Sequence, residues 1–322
     1  MRRLMSLPLV RSVLAEYPGG ELERSCRAHG CDGLEVVWGG EDLPADIPPA
    51  LHVGYHLTFW PDWLDFWRGD AAALVRKFGS EAACAAFYGG PPGRDTLLSA
   101  YRADLARAAA WGAKYVVFHV SDVSIEEGYT YRWEHSHEEV ADTAAECVNL
   151  LLDGRDWPFA LLVENQWWPG FIFTDPSLTR RLMDGIHYEN KGIMLDTGHL
   201  MNADPGIGSQ AEGAAFIHRM LDEHGALCRY IRGMHLHQSV SGAYVKAHTG
   251  ALPPDLPEEY LARFGVSYGH ILQIDRHQPW SCPEIASVVR RISPEFLVHE
   301  LSAESRAERE ARLDIQNRCL ER

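Results

Sequence analysis

The chain has 322 residues, 46% hydrophobic and 23% charged, an ordinary globular composition with material for a sizeable core. Its 45 acidic against 30 basic residues leave a formal charge of −15, which argues against the basic surface that non-specific nucleic-acid binding needs. No apolar run approaches the ~20 residues of a membrane span, and seven cysteines without Cys-x-x-Cys spacing argue against a disulfide framework and for a reducing, cytoplasmic setting.

The opening MRRLMSLPLVRSVL has a short apolar run that Arg11 interrupts, so residues 3–9 read as a first strand rather than a signal peptide. Further short runs follow at 34–38, 51–57, 115–120, 159–165, 192–196, 231–237 and 296–301. They are too short for helices and rich in Val, Ile and Leu, as strands buried on both faces are. Between them, 96–112, 136–154 and 209–225 carry apolar residues at three- and four-residue steps, and each ends at a glycine. The tail from Ser302 reads as a charged amphipathic helix.

Alternating strands and helices predict a parallel sheet, and eight such units close into a (β/α)8 TIM barrel, one domain over 1–322. The open doubly wound alternative lacks a Gly-x-Gly-x-x-Gly after the first strand. Segments 57–95 and 238–295 exceed plain connections. They predict enlarged loops on the C-terminal rim, where barrel active sites are built.

Six consecutive strands deliver a His, Asp or Glu at or near their C-terminal ends: His56, His119, Glu164, Asp196, His235 and Glu300. Strand ends of a closed barrel form a ring, so these side chains converge. Unpaired buried carboxylates are costly. Divalent cations remove that cost, and mixed imidazole–carboxylate ligation suits Zn, Mn or Fe. His199 follows Asp196 by three residues, and Asp275 and His277 lie two apart in the second insertion.

The motifs LLVEN, LDTGH, MHLHQS, DRH and LVHEL resemble those of the xylose isomerase-like barrel superfamily, from about residue 30 to 305. That group includes sugar isomerases and epimerases and the endonuclease IV enzymes of AP endonuclease family 2. The endonuclease IV resemblance implies nine ligands: His56, His119, Glu164, Asp196, His199, His235, Asp275, His277 and Glu300. The simpler isomerases imply mainly Glu164, Asp196, His235 and Glu300. The implied cofactor is one to three divalent ions per chain: Mn, Zn, Fe, Co or Mg.

Departures from the nuclease pattern point to a changed substrate. Trp167 and Trp168 stand where the nuclease has Thr-Ala-Gly, about 40 residues separate His235 from Asp275, and QPWSCP replaces a glycine-rich stretch. An aromatic rim on a chain of net charge −15 favours a small polar molecule over DNA.

The preferred reading is an isomerase or epimerase of a sugar-like substrate, phosphorylated or not, with Glu164 and Glu300 as catalytic carboxylates. The alternatives are multinuclear phosphoester hydrolysis, multinuclear iron oxygenation, and a barrel that only binds. Trp60, Trp167, Trp168, His237, Arg276 and Lys246 are the candidate substrate contacts. His237 shares the strand face of His235, and as readily supports or replaces a ligand. Glu35, inside the second strand, either orients a ligand or pairs within the core. Homo-oligomer formation is left open.

Overall fold

The computed structural model of the protein describes residues 1–321. Eight parallel strands close in sequence order: β1 (Arg2–Leu9), β2 (Gly33–Trp38), β3 (His52–His56), β4 (Tyr115–His119), β5 (Ala160–Glu164), β6 (Lys191–Asp196), β7 (Ile231–Leu236) and β8 (Phe296–His299). β8 pairs back onto β1, with Met5 opposite His299. The expected (β/α)8 barrel is therefore the observed one, and each apolar run meets its strand to within two residues.

Period-two alternation decides where the site forms. Tyr115, Val117, Leu162, Met194, Phe296 and Val298 belong to one buried cluster inside the barrel. Their neighbours Val116, Phe118, Leu161, Val163 and Leu297 pack into the larger core under the helices. Continuing the inward series by two residues gives His119, Glu164, Asp196 and Glu300. The same pleat that fills the barrel floor presents polar groups at its mouth.

The helices cover the outside. After β1 come α1 (Arg11–Leu14) and α2 (Glu21–Ala28). The first insertion folds into α3 (Leu64–Arg68), α4 (Ala71–Phe78) and α5 (Glu81–Tyr88) before α6 (Arg94–Trp111). α7 (Ile125–Thr130) and α8 (His137–Leu152) follow β4, and α9 (Pro176–Gly185) follows β5. α10 (Thr197–Asn202) and α11 (Gln210–His224) follow β6. The second insertion holds α12 (Gly242–His248) and α13 (Tyr260–Ile274) ahead of α14 (Ile285–Ile292), and α15 (Arg306–Leu320) closes the chain.

The two insertions pack on one another, which the sequence does not announce. Tyr260 of α13 lies against Phe78, ring centroids 4.0 Å apart, and Phe264 lies 5.2 Å from Phe87. Arg263 donates to the Lys77 carbonyl at 2.8 Å. Among the described residues no helix is long and apolar enough to cross a membrane. Cys26, Cys31, Cys84, Cys147, Cys228 and Cys282 form no disulfide among the described residues.

α8 starts on a capping box. Ser136 Oγ accepts from the Glu139 amide at 3.1 Å, and the Glu139 carboxylate accepts from the Ser136 amide at 3.0 Å. Ser136→Ala is expected to lower unfolding free energy by ~1 kcal/mol, read as a shift of the urea midpoint with an unchanged slope.

Candidate metal centre

Glu164 is the hub. It ends β5, is fully buried, and has imidazoles on both carboxylate oxygens. Oε2 faces His56 Nε2 at 3.2 Å and His119 Nε2 at 3.1 Å. Oε1 faces His199 Nδ1 at 3.2 Å and His235 Nδ1 at 3.1 Å. His235 Nδ1 in turn lies 3.1 Å from Glu300 Oε2 and 3.6 Å from Asp196 Oδ2. On the outer side, Asp275 Oδ2 lies 3.1 Å from His199 Nε2 and 2.6 Å from His277 Nε2.

These contacts divide into three adjoining sets able to hold an ion: His56–His119–Glu164, Glu164–Asp196–His235–Glu300, and His199–His237–Asp275–His277. Every one of the nine residues singled out from the sequence belongs to a set. His237 joins the third.

The spacing fits ions rather than only ion pairs. Two atoms bound to one cation at about 2.1 Å, with about 90–110° between the bonds, sit roughly 3.0–3.4 Å apart. Most of the distances above fall in that window. Glu164 Oε1, Glu300 Oε2 and His235 Nδ1 are buried without any hydrogen-bond partner, a penalty a cation removes.

Two histidines are oriented by backbone carbonyls: His56 Nδ1 to Leu57 O at 3.1 Å and His277 Nδ1 to Glu300 O at 3.1 Å. A carbonyl only accepts, so the proton sits on Nδ1 and the Nε2 lone pair is left for an ion.

The electrostatics without metal agree. Burial pushes the Glu164 carboxyl up, but His119 and His235 prevail and hold it well below the usual carboxylate range. Burial opposes charge on His277, yet Asp275 carries it up to about 9. Burial likewise disfavours charged His235, and Glu300, Glu35 and Glu164 overcome it. In effect, protons supply the positive charge that cations would bring.

The floor beneath His235 is a part the strand-end reasoning reached only halfway. Glu35 Oε1 lies 2.9 Å from His235 Nε2, and Tyr115 donates to Glu35 Oε2 at 2.6 Å. Glu35 thus sits where it orients a ligand. Tyr115 reads from sequence as plain barrel filling. Gly54 makes the pair possible, since a Cβ there would come within 2.4 Å of the Tyr115 ring.

The long insertion returns to the site through an antiparallel bridge, Gln238 N to Gln278 O at 2.8 Å and back at 3.1 Å. Ser239 then donates to Asp275 Oδ1 at 3.3 Å and accepts from the Arg276 amide at 2.9 Å. His277 holds a left-handed backbone, φ 45°, which costs a non-glycine residue ~1 kcal/mol or more.

The candidate substrate contacts separate. His237 Nε2 lies 2.8 Å from Asp196 Oδ2, inside the cluster, and Gly198 leaves room for it. Trp167 covers His199, centroids 5.3 Å apart, and packs on Trp168. Trp60 packs instead against Phe87 and Tyr88 in the first insertion. Arg276 is exposed beside Asp275, and Lys246 is exposed on α12.

A family model for xylose isomerase-like TIM barrels matches residues 24–316. No curated protein matches the sequence. Among solved structures, an endonuclease IV from Thermus thermophilus superposes with a TM-score of 0.53 at 17% identity, covering 100% of this chain and 99% of that one. A D-tagatose 3-epimerase-like protein gives 0.52 at 15%, covering 100% and 97%. Mannonate dehydratase from Streptococcus suis serotype 2 gives 0.51 at 13%, covering 99% and 93%. At such identities these structures establish a shared fold. With a closed eight-strand barrel and a family match over nearly its whole length, this chain belongs to the xylose isomerase-like TIM barrel family.

Proposed function

We propose that the chain is a multinuclear, divalent-metal phosphoester hydrolase acting on a small molecule. One observation carries this reading: Glu164 is shared, Oε2 by the His56–His119 pair and Oε1 by the set around His235. A carboxylate so enclosed suits bridging two ions better than moving a proton. Divalent ions held there would supply a nucleophile at neutral pH and neutralise charge developing on a phosphoryl group.

The chain's own residues set the conditions. Glu35 and Tyr115 fix the His235 ring from below. Trp167 screens His199 from water. Glu300, Asp275 and His277 keep some exposure and border the side open to substrate. Arg276 and Lys246 remain rim candidates for an anionic substrate oxygen. The acidic charge and the tryptophans after Glu164 favour a small molecule over nucleic acid, and seven cysteines without Cys-x-x-Cys spacing fit a reducing cytoplasm.

Isomerisation or epimerisation of a sugar-like substrate is the second reading. It is favoured by Glu164, Asp196, His235 and Glu300 forming a four-ligand set by themselves, with Glu300 partly exposed and able to move a proton.

Metal analysis of protein purified without added metal, beside turnover of bis(p-nitrophenyl) phosphate and a panel of ketoses, decides between them. About three Zn or Mn per chain and phosphodiester turnover lost on chelation are expected. One ion with ketose turnover moves the assignment to isomerisation. Two or three Fe with oxygen uptake moves it to oxidation. No metal and no turnover defeats all three.

A further inference from the structure

A fourth group of ligand atoms shares no residue with the three sets at the barrel mouth. Asp65 stands on α3, Asp122 in the loop after β4, and Glu134 and His135 just before α8. His135 Nε2 lies 3.1 Å from Asp65 Oδ1 and 3.8 Å from Asp122 Oδ2. Glu134 brings an oxygen within 4.8 Å of the Asp65 and His135 ligand atoms. Asp65 and Asp122 are buried.

The protein's own hydrogen bonds and ion pairs do not account for this group. Asp122 Oδ1 accepts from the Trp63 and Leu64 amides, yet Asp122 Oδ2 is buried, faces His135, and has no hydrogen-bond partner. An orphaned buried carboxylate oxygen is costly. Two permanent cations stand nearby, and both are engaged elsewhere. Lys77 lies 2.7 Å from Asp62 Oδ1 and from Asp65 Oδ2, and Arg76 donates to both oxygens of Glu134 at 2.7 and 3.0 Å. Burial, with Asp62 adding to it, pushes the Asp122 carboxyl up against the pull of Lys77. Glu127, also buried, stays out of the group, because its oxygens accept from the Ser124 and Glu134 amides at 2.8 and 2.7 Å.

We propose that His135, Asp65 and Asp122 bind a divalent cation of the zinc and manganese class, at a site separate from the barrel-mouth centre and independent of the hydrolase reading. One imidazole with carboxylates suits such ions. Atoms 3.1 and 3.8 Å apart can share an ion about 2.1 Å from each, with roughly 95–130° between its bonds. Asp65 keeps Lys77 on Oδ2 and offers Oδ1 to the ion. The ion ties the first insertion, through Asp65, to the loop leaving β4, where Asp122 follows His119 by three residues. Lys77 and Arg76 repel a second cation, so this site is weaker than those at the barrel mouth. It empties during purification without added metal and fills from dilute zinc.

Zinc alone is the probe. Protein as purified is equilibrated with dilute zinc, and bound metal is counted for wild type, Asp122→Asn and His135→Gln. Each variant is expected to hold one zinc fewer than wild type. Asn at position 122 keeps an oxygen for the Trp63 and Leu64 amides and removes only the one aimed at the ion. In crystals of zinc-loaded wild type, anomalous density is expected among His135, Asp65 and Asp122. Added zinc is expected to raise the urea midpoint of wild type more than that of either variant.

Equal zinc content in wild type and either variant overturns the site. So does a wild-type crystal without density at His135, a result that does not depend on how the variants fold. Density at His135 in a protein that turns over no phosphodiester retains the site and defeats the hydrolase reading instead.

Discussion

Glu164→Gln is expected to remove metal from two ligand sets at once and to lower phosphodiester turnover by ~10³-fold or more, since it removes a bridging charge from the centre of the site. The substitution keeps size and shape. It replaces one carboxylate oxygen by an NH2 group, which can only donate, and it deletes the negative charge that four imidazoles share. Whichever way the amide turns, one flanking pair, His56–His119 or His199–His235, loses its acceptor. His119→Ala provides the contrast. His119 touches Oε2 alone, so its loss is expected to release about one ion and to leave the Asp196–His235–Glu300 side loaded. Metal content by mass spectrometry, with circular dichroism as a check on folding, separates the two. A Glu164→Gln protein that retained its full metal load and turnover would remove the hub from the mechanism.

How much of this was legible in the sequence follows from the range of each rule. Strand alternation is local, so the step from Leu162 to Glu164, or from Met194 to Asp196, could be read from neighbouring residues. Closure of the barrel then made six distant strand ends adjacent without any knowledge of side-chain packing. Asp275 and His277 needed the family motif, because about 40 residues separate them from His235 and only the Gln238–Gln278 bridge brings them back.

What remained hidden depends on contacts between segments. Tyr115 looks like any inward aromatic until Gly54 opens the space that lets it reach Glu35. Trp60 and Trp168 look alike on the page, yet one packs against Tyr88 and the other packs on Trp167, which covers His199. Nothing in either's local sequence distinguishes them, since the difference is set by how two insertions, each a separate excursion from the barrel, meet.

That meeting is anchored by Lys77, and Lys77→Met is expected to cost ~3–5 kcal/mol of stability, the range for stranding a buried charge. Lys77 is buried on α4. Its ammonium donates to Asp62 Oδ1 at 2.7 Å and lies 2.7 Å from Asp65 Oδ2 and 3.6 Å from Glu134. Asp122 stands beside this group, holding the Trp63 and Leu64 amides at 2.7 and 2.8 Å. Burial already lifts the Asp62 carboxyl up to about 6 against the pull of Lys77, and Met leaves that burial unopposed.

The sign of the pH dependence follows. A folded-state value above the unfolded one means Asp62 favours folding at low pH and loses that contribution as pH rises through about 6. Without the ammonium the folded value rises further, so the deficit of Lys77→Met should be greater at pH 8 than at pH 5 in urea titrations. The consequence for function is selective. Tyr88 bonds to the Asp62 carbonyl and stacks on Phe66, and Phe78 carries Tyr260, so loosening Lys77 loosens the contact between the two insertions. The metal sets stand mainly on strand ends and do not depend on it. Native-like metal content with a lowered urea midpoint is therefore the expected pair of results. Loss of metal in step with loss of stability would mean that the rim and the barrel mouth fold as one unit.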